Sequence, residues 1–205
     1  PLALAALRTT VGAPVLLAVA FIRGERLPQT RQQWVAVWWI SLSITTVSSG
    51  FLVLGISRLS PGLSAMLSAT MPLFTAIIAV VVIAEFPGRR GYFGLLIGLL
   101  GAVFLAIPAF GSGNTTLGIV FSLISSISWA AGAVLNKRLP GALEISPLML
   151  VALQITFSAV CLHTAVPFFE DWSDTSLNWG LTIPLLYAGI PSLAVTFYLF
   201  ASVLR

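Results

Sequence analysis

Seven stretches of the chain, 1–22, 34–56, 62–84, 91–110, 117–136, 147–168 and 179–203, run close to or past the length of a bilayer-crossing helix with almost no charge inside them. About 20 apolar residues in α-helix cross the hydrocarbon core of a bilayer, so each stretch predicts one membrane span. The composition leaves little else open. Of 205 residues, 58% are hydrophobic and 8% charged, against roughly a quarter charged in a soluble domain. The breaks between the runs are turn-forming or charged: Arg23 to Pro28, Ser60-Pro61-Gly62, Pro87-Gly88-Arg89-Arg90, Gly111 to Asn114, Pro140-Gly141, and the acidic Glu170 to Asp174. The predicted fold is all-α, a polytopic membrane protein of seven transmembrane helices with no room for a soluble domain.

The excess of 10 Lys and Arg over 6 Asp and Glu does not predict a nucleic-acid binder, which needs a basic face with interleaved aromatics. Here the cations sit in loops. Eight of the ten, at Arg23, Arg26, Arg31, Arg89, Arg90, Lys137, Arg138 and Arg205, fall on one side if loops alternate across the membrane; Arg58 alone falls on the other, and Arg8 lies inside the first run. Cytoplasmic loops collect Lys and Arg. The loops after the first, third, fifth and seventh spans are therefore expected inside, and the acidic loop at 170–174 outside. The single cysteine, Cys161, excludes an internal disulfide.

Offsetting the chain by 146 residues aligns Pro1 to Leu16 with Pro147 to Leu162 at eight identities, with the Pro, Leu, Ala and Thr positions coinciding. By the charge count the first span runs inward and the sixth outward. The repeat is thus inverted, a pattern of transporters that rock two halves about a site between them. The chain opens at Pro1 directly on an apolar run and stops at Arg205 directly after one, which reads as an internal fragment.

Three stretches carry a family resemblance: Pro1 to Arg8; Ser64-Ala65-Met66-Leu67-Ser68-Ala69-Thr70-Met71-Pro72-Leu73-Phe74 through Glu85 to Gly94, Gly98 and Gly101; and Ser128-Trp129-Ala130-Ala131 through Lys137-Arg138. Together they resemble the EamA-like branch of the drug/metabolite transporter superfamily. The resemblance implies ten helices in two inverted five-helix repeats, of which this chain supplies helices two to eight. Residues 1–110 would then be four spans of the first repeat and 117–205 three spans of the second. The chain departs from the pattern after Glu85, where Phe86-Pro87 replaces an expected basic residue, so that turn is expected to be rearranged.

Candidate functional residues follow from what a lipid-facing helix does not need. Arg8 lies two turns into the first span, where a cation costs about 3 kcal/mol on insertion scales; it either snorkels outward or attracts an anion. Met71 and Pro72 sit mid-span, and Pro72 predicts a kink or hinge. Thr46 belongs to a hydroxyl-rich second span (Ser41, Ser43, Thr45, Ser48, Ser49), and Ser122, Ser125, Ser126 and Ser128 to a similar fifth. Such hydroxyls bond to their own helix, bridge to a neighbour, or line a polar cavity. Trp39, Trp129, Tyr187 and Tyr198 would add aromatic walls. Gly91, Gly94, Gly98 and Gly101 form one bare helix face, expected to pack closely on the small residues Ala65, Ala69, Pro72, Ala76 and Ala79 of the third span. Pro184 and Pro191 interrupt the seventh. Glu85 reads as a turn residue and His163 as an interfacial one.

The resemblance implies a secondary transporter in the plasma membrane (the inner membrane of a bacterium), moving small organic metabolites, amino-acid-like compounds or drugs, outward by alternating access. Its expected partners are the bilayer and a small-molecule solute, with no nucleic acid, metal or cofactor. Two other readings stay open. Seven spans is also the count of a receptor, although no lysine lies within a span, and an intramembrane enzyme would need motifs that the sequence lacks. No Asp or Glu falls mid-span, so proton coupling is not expected to rest on an acid of this chain.

Overall fold

The computed structural model describes residues 2–106, 113–170 and 179–189, with Thr196 and Leu199. Among these residues every regular element is a helix. We number them α1 Leu2–Ile22, α2 Arg31–Ile56, α3 Pro61–Ile83, α4 Arg89–Ala106, α5 Gly113–Arg138, α6 Pro147–Phe169 and α7 Trp179–Tyr187. A single turn at Pro140–Leu143 precedes α6. Five of them, α1, α2, α3, α5 and α6, are long and apolar enough to cross a membrane. In hydrocarbon a backbone has no water to bond, and the helix satisfies its amides internally. The helices start where the polar residues permit: Thr30 caps α2 in a reciprocal capping box with Gln33, Ser60 caps α3 ahead of Pro61, and Ser146 caps α6 ahead of Pro147.

Two antiparallel pairs build the bundle. In the first, the start of α1 meets the end of α6: the Leu2 and Ala3 amides donate to the Glu170 carboxylate at 2.8 and 3.1 Å. An acid at a helix N-terminus satisfies free amides and the positive end of the dipole together. Burial acts to raise the Glu170 pKa, and hydrogen bonding led by the Leu2 amide brings it below the ordinary value. Farther along, Ala13, Leu16 and Ala20 of α1 share a buried cluster with Met149, Ala152 and Ile155 of α6. In the second pair, α2 packs on α5, with Gly55 against Ser122 and Gly118, Leu59 against Gly118, and Ile44 against Gly132.

The α2–α5 contact relies on glycines that the sequence reading did not single out. A Cβ on Gly132 would overlap the Ile44 side chain and lie 3.0 Å from the Ile44 amide nitrogen; on Gly118 it would lie 2.8 Å from Leu59. The strip that was singled out behaves otherwise. Around Gly94, Gly98 and Gly101 a Cβ would meet nothing within 4 Å, and Gly91 approaches only Pro87 of its own turn. The expected packing of this face on the third span is corrected: α4 turns Leu95, Leu96 and Leu99 toward Ala76 and Ile77 of α3. Those leucines line a groove between the two helices, and the glycine face meets no neighbouring helix among the described residues.

Near Pro72 the third span breaks as expected. Regular helix stops at Ser68 and resumes at Met71, with the Thr70 hydroxyl donating to the Leu67 carbonyl at 2.6 Å. At its far end the chain leaves α3 through Ala84 in the left-handed region, φ 52°, a conformation that L-residues other than Gly, Asn and Asp adopt at a cost. The two kinds of glycine give opposite expectations. Gly132→Ala should lower the stability of the purified protein by about 1 to 3 kcal/mol through overpacking, while Gly98→Ala should leave it unchanged or slightly raised. Thermal unfolding in detergent compares them, and equal losses would contradict the α2–α5 packing.

Candidate functional site

Between α2 and α5 two of the hydroxyls expected from the sequence, Ser125 and Ser128, form bridges. Residues Ser41–Val47 of α2 are wound as π-helix, whose wider turn changes the carbonyl ladder and is frequent at functional sites. Its Ser43 carbonyl accepts from the Ser128 hydroxyl at 2.9 Å, and the Ser48 carbonyl one turn on accepts from Ser125 at 2.8 Å. Thr45 donates to Ser41 of its own helix and reaches the Gln154 carbonyl of α6 at 3.1 Å. One α2 segment is thereby tied to both α5 and α6. Thr46 differs: its hydroxyl is buried beside the Cys161 thiol without a well-formed hydrogen bond.

A pocket of about 440 Å³ opens between α3 and α5. Pro72, Thr75, Ala76 and Ala79 form one wall, Trp129 the other, and Glu85, Phe86, Pro87 and Lys137 the mouth. Pro72 and Trp129, chosen independently from the sequence, are brought together. The interior wall is mostly apolar; the Thr75 hydroxyl is turned back to the Met71 carbonyl at 2.8 Å. At the mouth, Lys137 Nζ lies 3.3 Å from Glu85 Oε2, with both side chains about half exposed (43% and 58%). Such a pair contributes about 0 to 1 kcal/mol. Trp129 lies roughly 12 Å deeper along α5 than Lys137, at 1.5 Å per residue. The pocket therefore spans from the helix ends to about the middle of a bilayer. Met71, half-buried, adjoins it in sequence.

Other candidates stand elsewhere. Trp39 is half exposed and Tyr187 69% exposed, so neither lines the pocket; Tyr198 lies outside the described residues. Instead of Trp39, its neighbours Trp34 and Trp38 pack edge-on against Phe157 of α6, at 6.2 and 5.7 Å between centroids. Arg8 faces a separate, smaller cavity. His163 Nδ1 lies 2.9 Å from the Ala159 carbonyl of its own helix.

The ends that the loop assignment places on one side are adjacent in space. Glu85 meets Lys137, Gln33 Nε2 donates to Glu144 at 2.9 Å, and at the opposite end Leu2 meets Glu170 and Leu59 meets Gly118. A chain of membrane-length helices folded back on itself in this way is a multi-pass membrane protein.

The comparisons with known proteins narrow the class. The chain matches the EamA-like transporter family over residues 1–107 and 116–205. It belongs to that family, within the drug/metabolite transporter superfamily. The uncharacterized transporter YvbV of Bacillus subtilis is 24% identical over 98% of this chain and 65% of its own length. An uncharacterized transporter of Acidianus ambivalens is 28% identical over 98% and 73% respectively, and the uncharacterized inner membrane transporter YedA of Escherichia coli 33% identical over 68% and 45%. The chain thus spans about two thirds or less of the Bacillus and Escherichia relatives. One crystal structure shares the fold over the whole chain, at TM-score 0.78 and 20% identity, and is covered over 71% of its own length.

The hydroxyls give a paired expectation. Ser125→Ala removes a bridge and should cost about 0.6 to 1.7 kcal/mol. Thr46→Val removes a buried hydroxyl that lacks a good partner and should be neutral or stabilising. Thermal unfolding of both variants checks this; a loss for Thr46→Val equal to that for Ser125→Ala would place an undetected partner on Thr46.

Proposed function

We propose that the protein is a secondary transporter of small organic metabolites, amino-acid-like compounds or drugs, exporting them across the plasma membrane by alternating access, and that the α3–α5 pocket is part of the solute path. The observation that carries this reading is the meeting of Pro72 and Trp129 in a pocket of about 440 Å³, within the range of small-molecule sites. A helix break at its edge supplies a hinge, and a weak ion pair at its mouth can open without large cost. In our reading the mouth faces the cytoplasm, because the cation-rich loops adjoin it.

Alternating access calls for two inverted halves, and we take 1–110 and 117–205 to belong to them, with seven spans in all. The α1–α6 pair supports this. Leu2 meets Glu170; followed along two antiparallel helices of equal rise, that register brings Ala13 opposite Ala159. The 146-residue offset matches the same two residues. An axis relating the halves has to pass where a residue faces its own counterpart, and on this register and offset that place is Ala13 with Ala159, within the α1–α6 contact. Family membership favours transport over the receptor and enzyme readings.

The test is efflux from vesicles that contain the full-length protein and are loaded with labelled amino acids or drug-like amines, with and without a pH gradient. Trp129→Ala should slow efflux about tenfold, the worth of one good aromatic contact. Trp39→Ala, on an exposed face, should stay within about twofold of wild type by the same scale. Equal effects of the two substitutions, or no effect of Trp129→Ala on any solute moved, would remove the pocket from the path.

A further inference from the structure

Among the described residues, Arg8 is the cation set within the membrane-spanning part of a helix rather than at an end. It lies six residues below Leu2, roughly 9 Å along α1. Its guanidinium makes no hydrogen bond or ion pair with the described residues, and its Nε is buried without a partner. The described acids lie elsewhere: Glu170 holds the Leu2 and Ala3 amides, Glu85 pairs with Lys137, Glu144 accepts from Gln33, and Glu25 follows the far end of α1. A side chain turned out to water would need no partner. Arg8 instead lines a cavity of about 140 Å³ together with Leu4 and Ala5 of α1, Val53 of α2, and Pro184 and Leu185 of α7. On the side away from Leu2, Gly189 is held so close to α1 that a Cβ there would lie 2.9 Å from the Arg8 carbonyl oxygen.

An arginine lining an otherwise apolar cavity is stabilised by an anion, and the planar fork of its N–H donors matches the two oxygens of a carboxylate. Among the described residues the walls provide no second charge and no further polar side chain, so they fit a monovalent group carrying a short hydrocarbon tail. We propose that Arg8 binds the carboxylate of the transported solute, and that the solutes of this protein include small monocarboxylates. This rests on the transporter reading and gives it a substrate class. A lipid phosphate offers the same anionic oxygens, and the experiment separates the two.

The full-length protein is purified into phosphatidylcholine nanodiscs. Its thermal unfolding is followed with acetate, propionate and 4-methylpentanoate, and with the corresponding amides. The acids should raise Tm by about 3 °C or more at saturation, and the amides should not. Arg8→Gln should lose that shift. Val53→Phe, which fills the cavity and leaves the charge in place, should lose it as well and decides the matter if Arg8→Gln does not fold. Amides as effective as acids, or a full carboxylate shift retained in Arg8→Gln or in Val53→Phe, overturns the proposal. So does stabilisation of wild type over Arg8→Gln by phosphatidylglycerol nanodiscs when no acid has any effect, since the occupant is then a lipid headgroup. The readout needs no flux. Arg8-dependent carboxylate binding without carboxylate transport would refute the substrate class and leave the transporter reading to the efflux test, and transport without Arg8-dependent binding would refute this inference alone.

Discussion

Hydrocarbon offers no hydrogen bonds, and most of this structure follows from that. The backbone meets the demand by winding into helices, and the same demand falls on every buried hydroxyl. Ser125 and Ser128 of α5 meet it with carbonyls of α2, and Thr45 of α2 with a carbonyl of α6. A backbone carbonyl carries two lone pairs and can accept such a bond beside its own helix bond. The π-helical turn at Ser41–Val47 adjoins these bridges, with the Ser43 acceptor inside it. Gly55, Gly118 and Gly132 then let the two backbones come within reach. Polar bridging and close packing at the α2–α5 contact are two sides of one arrangement.

A helix pair fixed by hydrogen bonds makes a stiff frame, and the elements around it are held differently. The α3 span is divided at Ala69–Thr70, where the Ser126 hydroxyl of α5 reaches the Leu67 carbonyl at 3.4 Å, and an exposed ion pair joins its far end to α5. Hinges and weak closures beside a rigid pair are what a moving wall requires. The pocket lies between the stiff element and the divided one, which is why we place the solute path there. The proposed carboxylate site at Arg8 is a second cavity, lined by α1, α2 and α7.

Much of the architecture was legible in the sequence because lipid makes charge so costly: interruptions in the apolar runs mark the helix ends to within a few residues. The break near Pro72 belongs to the same legible class, whereas the caps Thr30, Ser60 and Ser146 and the meeting of Pro72 with Trp129 came from the structure alone. What escaped was which face meets which neighbour. Gly91, Gly94, Gly98 and Gly101 make the more regular strip, yet glycine spacing says only that a partner is allowed; the choice fell to Gly118 and Gly132, which occur among serines able to bridge. Trp39 and Trp38 differ by one position, about 100° of helix turn, and a composition reading could not choose between them. The π-helical turn has no spacing signature, although a run of hydroxyls in an apolar helix was its visible trace.

The central claim is that the α3–α5 pocket holds water and solute, not lipid. Its direct measurement is thiol accessibility in a Cys161→Ala background, with Thr75→Cys on the pocket wall, Ile97→Cys on the exposed apolar face of α4 as control, and an impermeant reagent applied to right-side-out and inside-out vesicles. The account predicts that Thr75→Cys reacts readily from the cytoplasmic face while Ile97→Cys stays inert from both. Thr75→Cys as inert as Ile97→Cys from either side would make the pocket a lipid-filled groove and contradict the account.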